Sequence, residues 1–168
     1  MRVYLAHGAS GTAASMRPHV EGLERRGVKA QAVELPKRRA EAAVPVYEAA
    51  VLDWSEAVIG GHSYGGRVAS LLAAQRRPLG LVLLSYPLHR PGQPEWRPRT
   101  DHWPKIDCPV LLLSGEADPF ASINLLREAV GHLPQAQLVT YPRLRHGLQP
   151  VLDDVLDRVA AFVSDLGG

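Results

Sequence analysis

A single cysteine, Cys108, occurs in the 168 residues, so no intramolecular disulfide can form, and this points to a reducing compartment such as the cytoplasm. No apolar run approaches the roughly 20 residues needed to cross a bilayer, which excludes an association with membrane through a spanning helix. Charge of one sign is also scarce. The formal net charge is +2, too small to imply nucleic-acid binding, and the arginines are dispersed. Linkers, repeats and low-complexity tracts are missing, and the opening Met1-Arg2-Val3-Tyr4-Leu5 reads as the start of a strand with no leader before it. With 46% hydrophobic and 21% charged residues the composition is that of one ordinary globular domain over 1–168.

What is present is an alternation. Apolar runs at 3–6, 28–35, 57–60, 79–86, 110–114 and 137–141 are separated by segments with helical periodicity, the pattern of a parallel sheet layered by helices on both faces. Val68, Leu71 and Leu72 share one helical face, and Leu152, Val155, Leu156, Val159, Phe162, Val163 and Leu166 form one apolar stripe after Pro150. The fold class is therefore α/β, a three-layer α/β/α sandwich. The stretch 87–107 breaks the rhythm with its prolines and lack of apolar period. Trp96 and Trp103 argue against disorder there, so the sequence predicts a rim loop rather than a separate cap domain.

The richest motif is Gly61-His62-Ser63-Tyr64-Gly65, placed where the third apolar run gives way to a helix. A serine between glycines at a strand-to-helix junction suits a nucleophile elbow, in which Oγ stands clear of the sheet and the helix dipole faces the developing charge. A tight turn of this kind can also serve packing alone. An elbow demands partners in a fixed chain order, an acid after a later strand and then a histidine. Asp118 in Ser114-Gly115-Glu116-Ala117-Asp118-Pro119 supplies the acid, with Glu116 its competitor, and His146 before Gly147 supplies the base. Asp118 could also cap a helix, and a loop histidine could merely be solvated. The oxyanion donors would be the N–H groups of Tyr64 and of Ala9, with Ser10 next, in the loop His7-Gly8-Ala9-Ser10-Gly11. The remaining histidines, His19, His62, His89, His102 and His132, are weaker candidates; His62 is expected to pack or hydrogen-bond locally.

On these residues the whole chain resembles the α/β-hydrolases, with 61–65 as elbow and 7–9 as oxyanion loop. Leu84-Ser85-Tyr86-Pro87-Leu88-His89, together with 114–120, resembles more narrowly a small lidless subgroup related to dienelactone hydrolases. That subgroup also includes testis-expressed hydrolase-like proteins and a hydrolase-like subunit of a chromatin acetyltransferase complex. Dienelactone hydrolases use a cysteine nucleophile, whereas this elbow carries Ser63 and Cys108 lies elsewhere, so lactone specificity does not carry over. The resemblance implies a minimal all-parallel six-stranded sheet of order 2-1-3-4-5-6, starting at the family's third strand, with a ligand crevice between strands one and three. It implies a serine esterase acting on small-molecule esters without cofactor or metal, or alternatively a non-catalytic scaffold that binds a partner. Arg90, Arg97, Arg99, Arg143 and Arg145 would form either a basic mouth for anionic substrates or an ordinary solvated surface.

Overall fold

Along the central strands nearly every residue is buried, which is possible only where both faces of a sheet are covered. The computed structural model, which describes residues 1–168, places six strands in one parallel sheet. They are β1 (Arg2–Ala6), β2 (Ala30–Val33), β3 (Ala57–His62), β4 (Gly80–Leu84), β5 (Val110–Gly115) and β6 (Ala136–Tyr141), in the order β2-β1-β3-β4-β5-β6. The helices are α1 (Arg17–Glu24), α2 (Ala40–Ala50), α3 (Tyr64–Ala73), α4 (Ile123–Val130) and α5 (Leu152–Leu166).

Side chains alternate across the sheet with the period of two that a strand dictates. Val3, Leu5, Val58, Val82, Leu111 and Leu113 face α1 and α5, where Leu23, Leu156 and Phe162 meet them. Tyr4, Ile59, Leu81, Leu83, Val110 and Leu112 face α2, α3 and α4, packing on Tyr47, Leu72 and Leu126. Because β1 is followed by α1 and β3 by α3, the chain leaves adjacent strands toward opposite layers. The crevice at such a reversal is where this architecture can hold a ligand. Tyr47 ties the reversal together: the Gly60 N–H donates to its phenol oxygen at 2.9 Å, and the phenol faces the carbonyls of Tyr4 and Gly60 at 2.8 and 2.7 Å. Burial drives the phenol pKa far above its ordinary value, so it stays neutral.

Two strands are shorter than their apolar runs. The Val28 N–H still closes the turn after α1 on the Leu23 carbonyl, and the Leu35 N–H is taken by His7, so β2 keeps only four residues. The run at 79–86 stops being a strand after Leu84 because Ser85 takes φ 50 and turns the chain.

Between β4 and β5 the stretch 87–107 forms two single turns of 3₁₀ helix, at Arg97–Arg99 and Trp103–Lys105. It stands where a crossover helix would, and its Leu88, Trp96, Trp103 and Ile106 are buried in the layer of α2 and α3. The Trp103 ring meets Tyr86 edge-on at 5.0 Å, and His102 Nε2 lies 2.8 Å from Ser70 Oγ on α3. Removing the fully buried indole with Trp103→Ala should cost about 3–5 kcal/mol, read as a lowered urea midpoint.

Candidate active site

Ser63 stands alone between β3 and α3, with φ 52 and ψ −117, a conformation that costs a non-glycine residue on the order of 1–3 kcal/mol. The turn closes that tightly because Gly61 and Gly65, two residues to either side, have no side chain: a Cβ on Gly65 would lie 2.5 Å from the Ala6 carbonyl oxygen. Backbone bonds then hold the serine, its N–H donating to Leu84 at 2.8 Å and its carbonyl accepting from Arg67 at 3.0 Å.

The structure brings Ser63, His146 and Asp118 together from three separate loops. Ser63 Oγ lies 2.9 Å from His146 Nε2, and His146 Nδ1 lies 2.8 Å from Asp118 Oδ2. The other carboxylate oxygen of Asp118 accepts the Phe120 N–H at 2.8 Å, and the side chain is shut away from water. This arrangement fixes the imidazole with its proton on Nδ1 and its lone pair toward Ser63. Glu116 is directed elsewhere, accepting from Thr140 Oγ1 at 2.9 Å and pairing with Arg127 at 3.5 Å. The His146 loop crosses directly over Gly115, where a Cβ would meet the Leu144 and Arg145 carbonyl oxygens at 2.1 and 2.4 Å. Phe120 and His62 flank the imidazole at centroid distances of 4.5 and 5.3 Å, and His62 Nε2 lies 3.3 Å from the His146 carbonyl.

On the opposite side of Ser63 the loop after β1 forms a turn in which the Gly11 N–H donates to the Gly8 carbonyl at 3.1 Å. Ala9 and Ser10 at its tip are exposed, and their N–H groups take part in no backbone hydrogen bond. His7 anchors this turn from beneath: Nδ1 lies 2.7 Å from the Gly8 carbonyl, and Nε2 accepts the Leu35 N–H at 3.0 Å. Glu34 Oε2 is 2.9 Å from the same Nε2. Tyr64 opens α3, so its N–H has no carbonyl one turn behind it. Its hydroxyl donates to the Arg38 carbonyl at 2.7 Å.

The resulting cleft encloses about 430 Å³. Beyond the residues already named, its wall is Ser15, Met16, His19, Leu148 and Gln149, which come from segments with no motif of their own. His19 is held neutral, its pKa lowered to about 4 by burial and by the neighbouring His62. His102 is likewise lowered to about 4, by burial and the Arg67 charge. In both cases the unfolded chain binds the proton first. Stability is therefore level above pH 6.5 and falls as pH drops toward 4, by roughly 2 kcal/mol per histidine at pH 5. Urea midpoints at pH 7.5 and 5 should show that drop, and His19→Leu should remove its share.

Cys108 cannot replace Ser63: it is buried, and burial followed by the Asp107 charge pushes its thiol up to about 12. No three His, Cys, Asp or Glu side chains converge as a metal cage would require, and no helix is long and apolar enough to cross a membrane.

A sequence model of the family described as "Alpha/beta hydrolase domain" matches residues 1–159. The chain belongs to the alpha/beta hydrolase family. Among solved structures, this hydrolase domain is similar to the monoacylglycerol lipase of Paleococcus ferrophilus, with a TM-score of 0.86, 14% identity and coverage of 98% of this chain and 94% of that one. It is similar to Est1E of Butyrivibrio proteoclasticus, solved with ferulic acid, at TM-score 0.80 and 18% identity over 98% and 88% of the two chains. It also resembles the dienelactone hydrolase of Anabaena variabilis, at TM-score 0.76 and 20% identity over 98% and 85%. At such identities the shared feature is the fold: the hydrolase sheet with its order β2-β1-β3-β4-β5-β6.

Proposed function

We propose that this chain is a serine hydrolase that cleaves small carboxylic esters through an acyl-enzyme. The observation that carries the reading is the chain of hydrogen bonds from Ser63 Oγ through His146 to the buried Asp118 carboxylate, at 2.9 and 2.8 Å. Family membership and the similarity to a monoacylglycerol lipase and a dienelactone hydrolase support it.

In this reading Ser63 Oγ attacks the ester carbonyl while its proton passes to His146 Nε2. The N–H groups of Tyr64 and Ala9, with Ser10 beside Ala9, receive the oxyanion. Asp118 stays ionised and stabilises the imidazolium, which then protonates the departing alkoxide. Water, deprotonated by the same Nε2, releases the acid and restores Ser63. The strained backbone at Ser63 has a use in this chemistry and none in a passive binding scaffold.

Incubation with a fluorophosphonate probe, followed by peptide mapping, should place one label on Ser63. A label that persists in Ser63→Ala, or no label beside absent turnover of p-nitrophenyl butyrate, sinks the reading.

A further inference from the structure

A second cleft of about 500 Å³ is walled by the start of α2, the first turn of α3 and the stretch 90–99. Five of its lining residues are arginines, Arg38, Arg39, Arg67, Arg90 and Arg99, against the carboxylates Glu41 and Glu95. Both carboxylates are already engaged. Glu41 pairs with Arg67 at 3.3 Å and faces Arg39 at 4.0 Å, and Glu95 accepts the Arg97 N–H at 3.3 Å. Arg38, Arg90 and Arg99 form no ion pair, so the cleft carries uncompensated positive charge.

One of these side chains is already positioned. Arg99 is half-buried, and one of its terminal nitrogens donates to the Pro87 carbonyl at 2.9 Å, which fixes the guanidinium plane. Burial and the charges of Arg67 and Arg90 all lower its pKa, the mark of a crowded group of cations that an anion would relieve. A guanidinium fork presents paired donors suited to the oxygens of carboxylate or phosphate.

Position links this cleft to the reacting atoms. Tyr64, which directly follows Ser63, lines it, and Arg67 stands on the same face of α3, about 5 Å further along the helix. An ester with its carbonyl at Ser63 can therefore extend past the Tyr64 ring into the arginines. The arginines counted in sequence are divided by the structure: Arg90 and Arg99 join Arg38, Arg39 and Arg67, whereas Arg97 lies over the Trp96 ring at 5.2 Å, and Arg143 and Arg145 do not line the cleft.

We propose that this arginine cleft is a subsite for an anionic, oxygen-bearing group on the ester cleaved at Ser63, so that the enzyme selects negatively charged esters; the proposal rests on the serine-hydrolase reading. Mono-p-nitrophenyl glutarate and p-nitrophenyl valerate, matched in length and differing in a terminal carboxylate, test it on the purified chain. The expected kcat/KM favours the charged ester about tenfold or more at low salt. That preference should shrink in about 0.5 M NaCl. It should also shrink in the R38Q/R90Q double variant, chosen because both side chains are exposed and neither fastens the fold. Equal kcat/KM for the two esters, or a preference that survives the double variant, overturns the subsite while leaving the hydrolase reading intact. Absence of fluorophosphonate labelling with no turnover of either ester brings down the hydrolase reading and the subsite with it. Binding of an RNA oligonucleotide or heparin without a charged-ester preference assigns the arginines to a polyanion surface and equally overturns the proposal.

Discussion

Ser63→Ala is expected to lower kcat for p-nitrophenyl butyrate by about 10⁵- to 10⁶-fold, because in the proposed mechanism the nucleophile and its base act as one unit. His146→Ala should cost nearly as much, and the double variant scarcely more, since losing either partner already removes the whole covalent route. The residue of activity should remain about 10³-fold above water, contributed by binding and by the N–H groups around the oxyanion position. The structure adds a stability corollary. Ser63 pays for its φ of 52 in either serine or alanine form, so Ser63→Gly, equally inactive, should be more stable than Ser63→Ala by about 1 kcal/mol. Steady-state kinetics with active-site titration, beside urea unfolding of the same variants, separates the two effects. Activity of Ser63→Ala within tenfold of the parent would remove Ser63 from the chemistry.

Gly115→Ala should be the most damaging substitution that touches none of the reacting groups. Its Cβ would stand 2.1 and 2.4 Å from two backbone carbonyl oxygens of the loop that carries His146, and backbone yields less readily than the end of a side chain. The loop must lift away from β5. A displacement of about 1 Å at the base is worth roughly 10²-fold in rate, and the forced separation should cost about 1–3 kcal/mol in stability. Gly167→Ala, where a Cβ meets nothing nearer than 3.6 Å, serves as the control and should leave both quantities unchanged. A kcat for Gly115→Ala equal to that of the control would show that the loop tolerates the shift.

Much of the architecture is legible in the sequence because a parallel sheet buried on both faces leaves uninterrupted apolar runs, and the six runs match the six strands in order. The elbow is legible for a different reason: only glycine fits where the turn presses on the backbone of β1. The order Ser63, Asp118, His146 could be read because each follows a strand. What distinguishes Asp118 from Glu116 is not local. It depends on Thr140 and Arg127, which take Glu116 away, and these are distant in the chain. That part of the cleft wall was equally invisible, since Met16, His19, Leu148 and Gln149 converge only after α1 and α5 pack side by side. The stretch 87–107 has no helical period because its burial is carried by two indole rings and a hydrogen bond to α3 instead of by one apolar stripe.

His7 makes the turn at 8–11, the proposed oxyanion loop, depend on the sheet's margin. Its ring spans from the Gly8 carbonyl to the N–H of Leu35, just past β2, and β2 is a four-residue strand with a neighbour on one side only. Such margins open at far lower free energy than the centre of a sheet. Fraying at the end of β2 would remove the footing of the turn and leave Ser63, His146 and Asp118 assembled. The rate at which this protein works should therefore follow amide-exchange protection at Leu35 more closely than its global resistance to unfolding.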